Sequence, residues 1–162
     1  MKIFKIVVTS DTHGNELALE KLILNNQNTD LIIHLGDGEN EFFKMKNKFQ
    51  QLNMLMVKGN CDFNLNKKLP NLKIIKINKF KIMACHGHQF NVKQNLKTLQ
   101  IMAQNLKINL VLFGHTHIKH LKKLNEIMFF NPGSLTLPRA ANQPSFGIIN
   151  IANKIDIEIL NF

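Results

Sequence analysis

The sequence predicts an α/β fold that opens with a parallel sheet, on three observations. Short β-branched apolar runs alternate with amphipathic stretches, and the first runs have the length of strands buried on both faces. Five of the runs end in a glycine-accompanied cluster of Asp, Asn or His. Ile3 to Thr9 is the first such strand. Asn15 to Asn26 reads as a helix, with Asn15 as N-cap, Glu16 in the first turn and Leu19, Leu22 and Ile23 on one face. Leu31 to Leu35 is a second strand, and a helix from Glu39 to Gln50 places Phe42, Met45 and Phe49 on one stripe. Leu52 to Val57 completes a βαβαβ unit with right-handed crossovers.

The pattern then changes. Leu72 to Ile77 and Phe80 to Cys85 form a hairpin across Asn78-Lys79, and Val92, Leu96, Leu99, Ala103 and Leu106 mark a helix. Leu110 to Phe113 is a further strand. The tail is all β, with strands over His117 to Leu124, Ile127 to Phe130, Phe146 to Ile151 and Lys154 to Leu160, and turns at Asn125-Glu126 and Asn153-Lys154. No repeat or linker divides the chain, so one domain over residues 1–162 is expected.

Of the 162 residues, 44% are hydrophobic and 20% charged, which supports a buried core and excludes a disordered chain. The net charge of +10 comes from 20 Lys and the single Arg139 against 11 Asp+Glu. Together with 22 Asn, the lysines suggest an AT-rich coding background. They are scattered and form no basic stripe, so a nucleic-acid partner is not favoured over a small molecule. Two cysteines, Cys61 and Cys85, cannot build a disulfide framework and suit a reducing compartment. The apolar run Ile6 to Val8 is too short for an export signal, and no segment has the length of a membrane span. A soluble, cytoplasmic protein without membrane association is expected.

The strand-end clusters carry the chemistry. They are Asp11 and His13, Gly36-Asp37, Gly59-Asn60-Cys61-Asp62, His86-Gly87-His88, and Gly114-His115-Thr116-His117. Strand carboxyl ends in an open α/β sheet face one crevice, so clusters distant in sequence converge there. Two carboxylates, four imidazoles and one amide are N and O donors that suit Mn²⁺, Fe, Zn²⁺, Co²⁺ or Ni²⁺ better than Ca²⁺. One metal rarely needs seven donors, whereas two metals sharing a carboxylate use them well. Two divalent ions held by two carboxylates leave a positive site that attracts phosphate, and such a pair clamps both oxygens of an in-line displacement.

These motifs, with Asn131-Pro132-Gly133-Ser134 and Pro138-Arg139, resemble the calcineurin-like metallophosphoesterases over essentially the whole chain. Gly-Asn-Cys-Asp looks like the small prokaryotic YfcE-like phosphodiesterase branch, which is related to a retromer scaffold subunit. The resemblance implies a four-layer α-β-β-α sandwich of two mixed sheets flanked by helices, the metallo-dependent phosphatase-like architecture. It implies that Asp11, His13 and His117 hold one metal, that Asn60, His86 and His115 hold a second, and that Asp37 bridges them. Two divalent transition-metal ions follow, Mn²⁺ first, with Ni²⁺, Zn²⁺, Fe or Co²⁺ as substitutes. The implied activity is hydrolysis of a phosphodiester by attack of metal-bound hydroxide. A phosphomonoesterase or nuclease on the same site, or a non-catalytic interaction scaffold, are the alternatives. Relatives also imply a homo-oligomer, dimer or tetramer.

Larger members of the superfamily carry His where this chain has Cys61. Loss of a general acid worth about 10²–10⁴-fold should penalise alkoxide leaving groups and spare phenol-like ones. Asp37, Asn60 and His88 are read as the catalytic set, and Asn60, His88 and Arg139 as substrate-binding. His88 contacts substrate or orients His86, against a solvated loop residue. Arg139 holds a phosphate or clamps the Asn131–Ser134 loop. His34 is read as a hydrogen-bonded core residue, His120 as a surface residue, and Asp62 as a support for the Asn60 loop. The pairs Lys67-Lys68 and Lys122-Lys123 are read as solvated surface.

Overall fold

The structure, a computed structural model, describes residues 2–63 and 68–162. The strands and helices are β1 (Phe4–Thr9), α1 (Glu16–Leu24), β2 (Leu31–His34), α2 (Glu39–Lys48), β3 (Met54–Met56), β4 (Leu72–Ile77), β5 (Phe80–Cys85), α3 (Lys97–Asn105), β6 (Leu110–Leu112), β7 (Lys119–Leu124), β8 (Ile127–Pro132), β9 (Ser145–Ile151) and β10 (Ile155–Asn161). They form two mixed five-stranded sheets, ordered β10-β9-β1-β2-β3 and β4-β5-β6-β8-β7. In the first sheet β1, β2 and β3 run parallel, as the opening βαβαβ unit predicts, and β9 and β10 add antiparallel strands. In the second, β5, β6 and β8 run parallel between antiparallel β4 and β7.

Strand periodicity explains the layers. Along β1, Ile6 and Val8 face a core shared with Ile82, Ala84, Leu110, Leu112 and Phe130 of the second sheet, while Val7 faces outward. That outward face packs on Leu19, Leu22 and Ile23 of α1 and on Phe42 and Met45 of α2, the stripes the sequence predicts. The outer face of the second sheet, with Met83, Val111 and Phe129, packs on Leu99 and Ala103 of α3. Four layers result, helices outside and sheets inside. Among the described residues no helix is long and apolar enough to cross a membrane.

Local chemistry sets the element ends. Asn15 caps α1 by accepting from the Ala18 amide at 3.0 Å. The β4–β5 turn is Asn78-Lys79, with Ile77 opposite Phe80 and Asn78 at φ 54. Asn125 and Glu126 both take positive φ in the β7–β8 turn, the backbone that a two-residue hairpin of this twist needs. Several boundaries differ from expectation by a residue or more, and for two of them the backbone gives the reason. The predicted helix from Val92 begins only at Lys97, because a 3₁₀ turn over His88–Phe90 and a left-handed Asn91 come first. Val92 and Leu96 keep their helical-looking spacing because they pack on the same outer face from turns. Strand β7 starts at Lys119 and not at His117, whose φ is 60.

Gly147 in β9 lies against the Phe130 ring of β8, where a Cβ would collide with it. Gly147→Ala should therefore lose about 1–3 kcal/mol through overpacking of a core with no room to yield. Phe130→Leu should recover part of that loss. Denaturant unfolding of both single variants and the double variant checks it, and a coupling near zero contradicts it.

Candidate metal centre

The parallel strands of both sheets deliver their carboxyl ends to one edge, and hydrogen bonds stitch the following loops together. The Asp11 amide donates to the Gly36 carbonyl at 3.0 Å, the His13 amide to the Asp37 carbonyl at 3.0 Å, and the Gly114 amide to the His86 carbonyl at 3.0 Å. Seven predicted residues meet there. Asp11, His13 and His117 present donor atoms within 4.8 Å of one another, as do Asp37, His86 and His115. Asn60 joins the second group, with its Oδ1 3.1 Å from His86 Nε2.

Each buried carboxylate divides its work. Asp11 Oδ2 accepts from the Ser10 hydroxyl at 2.6 Å and the His115 amide at 3.1 Å. Its Oδ1 is buried without a hydrogen-bond partner among the described residues, 3.2 Å from His117 Nε2 and 3.9 Å from His13 and His86 Nε2. Asp37 Oδ1 accepts from the Cys61 amide at 2.7 Å, while Oδ2 lies 3.4 Å from His86 Nε2 and 3.8 Å from His13 Nε2. The imidazoles are aimed likewise. His86 Nδ1 donates to the Leu35 carbonyl at 2.6 Å and His117 Nδ1 to the Leu137 carbonyl at 2.7 Å, which leaves the Nε2 lone pair of each pointing inward. An orphaned carboxylate oxygen among inward-facing imidazole nitrogens fits a divalent transition metal: buried charge of this kind is tolerated when it is paired or coordinating.

Electrostatics follow the same geometry. Burial alone would raise Asp11, but the His117 contact and the charges of His86 and His117 hold it below 3.8. Asp37 is lowered similarly, its burial outweighed by His86 and the Cys61 amide. Burial would lower His86 and His117, yet their partners Asp37 and Asp11 lift both above 6.5. His115 is pushed down to about 4 by burial and by the charges of His86 and Lys93. Cys61 is pushed up to about 11 by burial and the Asp37 charge, so it is a neutral thiol.

The supporting residues were only partly legible. Asp62 carries the Asn60 loop as expected and does more: its carboxylate accepts from the amides of Asp37, Gly38, Glu39 and Gly59 at 2.7–3.0 Å. It thereby caps α2, whose own N-cap Gly38 has no side chain to do so. His34 is a core residue, receiving the Gly36 amide on Nδ1 and donating from Nε2 to Thr12, whose hydroxyl donates to Glu41. The Asn131–Ser134 segment clamps itself. Asn131 donates to the Gly114 carbonyl at 2.8 Å, and Ser134 to the Asp11 carbonyl at 2.8 Å. Arg139 is not that clamp; its amide donates to the His117 carbonyl and its charge reaches His117. His88 rings His86 and His115 at centroid distances of 5.3 and 6.0 Å. His120, expected on the surface, is half-buried against Phe113. Lys68, Lys122 and Lys123 are exposed, and Lys67 lies outside the described residues. Ser10, Thr12 and Glu41 carried no signal at the sequence level, because hydroxyls and acids next to helices are common.

Asp11, His13, Asp37, His115 and His117 all adopt left-handed backbone, with φ between 44 and 66. Such conformations cost non-glycine residues about 1–2 kcal/mol each and cluster at functional sites.

The chain matches the calcineurin-like phosphoesterase superfamily domain over residues 4–154. It is 32% identical over 150 residues to the probable metallophosphoesterase YsnB of Bacillus subtilis, covering 91% of this chain and 85% of that protein. It is 27% identical over 169 residues to the phosphodiesterase YfcE of Escherichia coli, covering 91% and 88%. A crystal structure of a predicted phosphoesterase from Streptococcus pneumoniae superposes with a TM-score of 0.86 at 27% identity, covering 99% of this chain and 91% of the other.

Two outcomes are expected. Asp62→Asn turns one carboxylate oxygen into an NH₂ that faces two amide N–H groups, so it should destabilise the chain by about 3 kcal/mol and weaken metal-induced stabilisation. Thermal melts with and without Mn²⁺ measure both effects. In metal-free protein, the raised His86 and His117 stabilise fully below pH 6.5, and that contribution is lost as pH climbs through their folded values. The lowered His34, His88, His115 and His120 act oppositely, destabilising as pH falls below 6.5. The histidine contribution to metal-free stability should peak near pH 6.5. Because metals take neutral imidazole, saturating Mn²⁺ should abolish the decline on the alkaline side. A metal-free melting curve that keeps rising to pH 8.5 contradicts this.

Proposed function

This chain belongs to the calcineurin-like phosphoesterase superfamily, and from that premise we propose that the phosphoesterase is a phosphodiesterase working through two divalent transition-metal ions, with Mn²⁺ the first choice. The observation that carries the proposal is the pair of unshared carboxylate oxygens, Asp11 Oδ1 and Asp37 Oδ2, each facing inward imidazole nitrogens. Asp11, His13 and His117 would hold one ion, Asn60, His86 and His115 the other, and Asp37 both. When bound, such a pair lowers the pKa of water and neutralises the charge of a phosphate.

The chain's own residues do the rest. The Leu35 and Leu137 carbonyls fix the protons of His86 and His117 on Nδ1. The Asp62 carboxylate holds the Asp37 and Gly59 amides, and through them the Asp37 and Asn60 loops, at a fixed separation. His88, whose Nδ1 is buried without a partner among the described residues, has a pKa lowered by burial and by the His86 charge. It offers a neutral N–H to a phosphate oxygen. In the displacement, a water oxygen bonds to phosphorus as the P–O bond to the leaving alcohol breaks, and the departing oxygen ends with a proton. Cys61, a thiol held near 11, supplies that proton poorly. This favours diesters with acidic leaving alcohols over phosphomonoesters.

A 220 Å³ cleft beside the cluster is lined by His13, Asp37 and Cys61 together with Glu39 and Glu41. These acids disfavour an extended polyanion on that side and support a small diester. Both cysteines are free thiols, in keeping with a reducing, cytoplasmic setting.

Chelation should abolish hydrolysis of bis(p-nitrophenyl) phosphate and Mn²⁺ should restore it. Asp37→Ala should lower the rate by at least about 100-fold, the upper range for residues one shell further out; wild-type turnover in that variant would sink the proposal. Cys61→His should raise turnover of alkyl leaving groups by up to about 10²-fold while leaving p-nitrophenyl esters nearly unchanged. Parallel assays of ethyl and p-nitrophenyl esters read the difference.

A further inference from the structure

Two imidazoles of the metal centre are fixed through their own rings: His86 and His117 each give the Nδ1 proton to a backbone carbonyl. His13 has no such bond among the described residues, and its ring meets only His117 Nε2, at 3.4 Å, within hydrogen-bond range. The ring therefore goes where its backbone carries it. That backbone is left-handed, with φ 44, a conformation that an L-residue holds only at a cost.

What holds it there is Glu41, a buried residue in the first turn of α2. Its Oε1 accepts from the Thr12 hydroxyl at 2.5 Å and from the Gly14 amide at 2.7 Å, the residues on either side of His13. The Thr12 oxygen accepts in turn from His34 Nε2 at 2.9 Å, and His34 Nδ1 accepts from the Gly36 amide at 3.2 Å. The Gly36 carbonyl closes the circuit by accepting from the Asp11 amide at 3.0 Å. One side chain of α2 thus ties the loop after β1 to the loop after β2. Gly38 reserves the room for this network. Its φ of 177 is open to any residue, yet a Cβ there would collide with the Thr12 hydroxyl and the His34 ring. Among the described residues, Asn60, His86 and His115 make no hydrogen bond to Glu41.

We propose that Glu41 is a positioning residue for His13. By gripping Thr12 and Gly14 it aims the imidazole at Asp11 and Asp37, and it sets the affinity for the ion of Asp11, His13 and His117 without setting that for the ion of Asn60, His86 and His115. The inference rests on the two-ion reading above.

Calorimetric titration of the metal-free protein with Mn²⁺ tests it, and His13→Ala marks which of the two binding steps belongs to that histidine. Glu41→Ala should weaken this step by about 10–100-fold, the usual effect of removing a residue that orients a metal-binding histidine, and leave the other step unchanged. Glu41→Gln keeps an oxygen that can accept from both donors, so it should hold the affinity within about threefold of wild type. Thr12→Val removes one of the two donors and should weaken the same step by about fivefold, the worth of one hydrogen bond, which also serves if Glu41→Ala does not fold. With His13→Ala already present, Glu41→Ala should add less than about twofold. Equal weakening of both steps, a loss in Glu41→Gln as large as in Glu41→Ala, or a full Glu41→Ala effect without His13 overturns the positioning role.

A wild type that takes up a single Mn²⁺ would overturn the two-ion reading and leave the role of Glu41 standing. That role is then read without metal, from the imidazole signals in ¹H–¹⁵N spectra of the metal-free protein. His13 signals that move in Glu41→Ala and return in Glu41→Gln, with those of His86 and His117 in place, support it. His13 signals unchanged in Glu41→Ala overturn it.

Discussion

The burial of two carboxylates at the seam between the sheets is the constraint around which the molecule is arranged. Asp11 is inaccessible to solvent and Asp37 nearly so, and an ionised acid removed from water is costly unless something replaces its hydration. Protein donors replace only half of it. One oxygen of each acid takes backbone or hydroxyl hydrogens, and the other is turned toward imidazole nitrogens whose protons are held on the far side of the ring by backbone carbonyls. The parallel strands, the loops they feed and the Asp62 carboxylate beneath them all act to keep that half-satisfied arrangement from relaxing.

This arrangement also explains which parts of the molecule were legible in the sequence. Strands β1, β2, β5 and β6 are apolar runs that stop at Gly-accompanied Asp or His, and a short continuous apolar run with polar punctuation survives whatever packs around it. The convergence of the seven residues was legible for the same reason. Resemblance, and not periodicity, supplied the four layers, since nothing in the run Leu110 to Leu112 says which of two sheets it joins. The start of α3 was misread because Val92 and Leu96 obey helical spacing while the backbone at Asn91 turns left-handed, a feature hidden in a common Asn. The full reach of Asp62 was invisible too. Its four partners are amides, which every residue has.

Cys61 shows how position outranks residue type. A cysteine beside a metal centre invites a reading as ligand or nucleophile, and its sulfur does fall with His13 and Asp37 in a set that could hold an ion. Yet the neighbouring Asp37 charge and partial burial keep the thiol protonated, which removes both roles in the metal-free chain. The Cys61 sulfur accepts from Asn60 Nδ2 at 3.2 Å, and its backbone N–H donates to Asp37 Oδ1 at 2.7 Å. The second of these contacts does not depend on the side chain.

The five left-handed residues of the centre bear on how this protein can change. Much of the effort of raising a protein's melting temperature goes into finding positions where the native residue is a poor local choice, and five of the twelve left-handed non-glycine positions among the described residues are Asp11, His13, Asp37, His115 and His117. Asparagine or glycine at any of them would sit more comfortably on the backbone, and at Asp11 would also remove a buried charge. Under selection for stability alone, the centre is the first region expected to erode, without any disturbance to the sandwich beneath it. A lineage could thus lose the chemistry and keep the fold as a rigid surface for other uses, by substitutions that each relieve a left-handed backbone position.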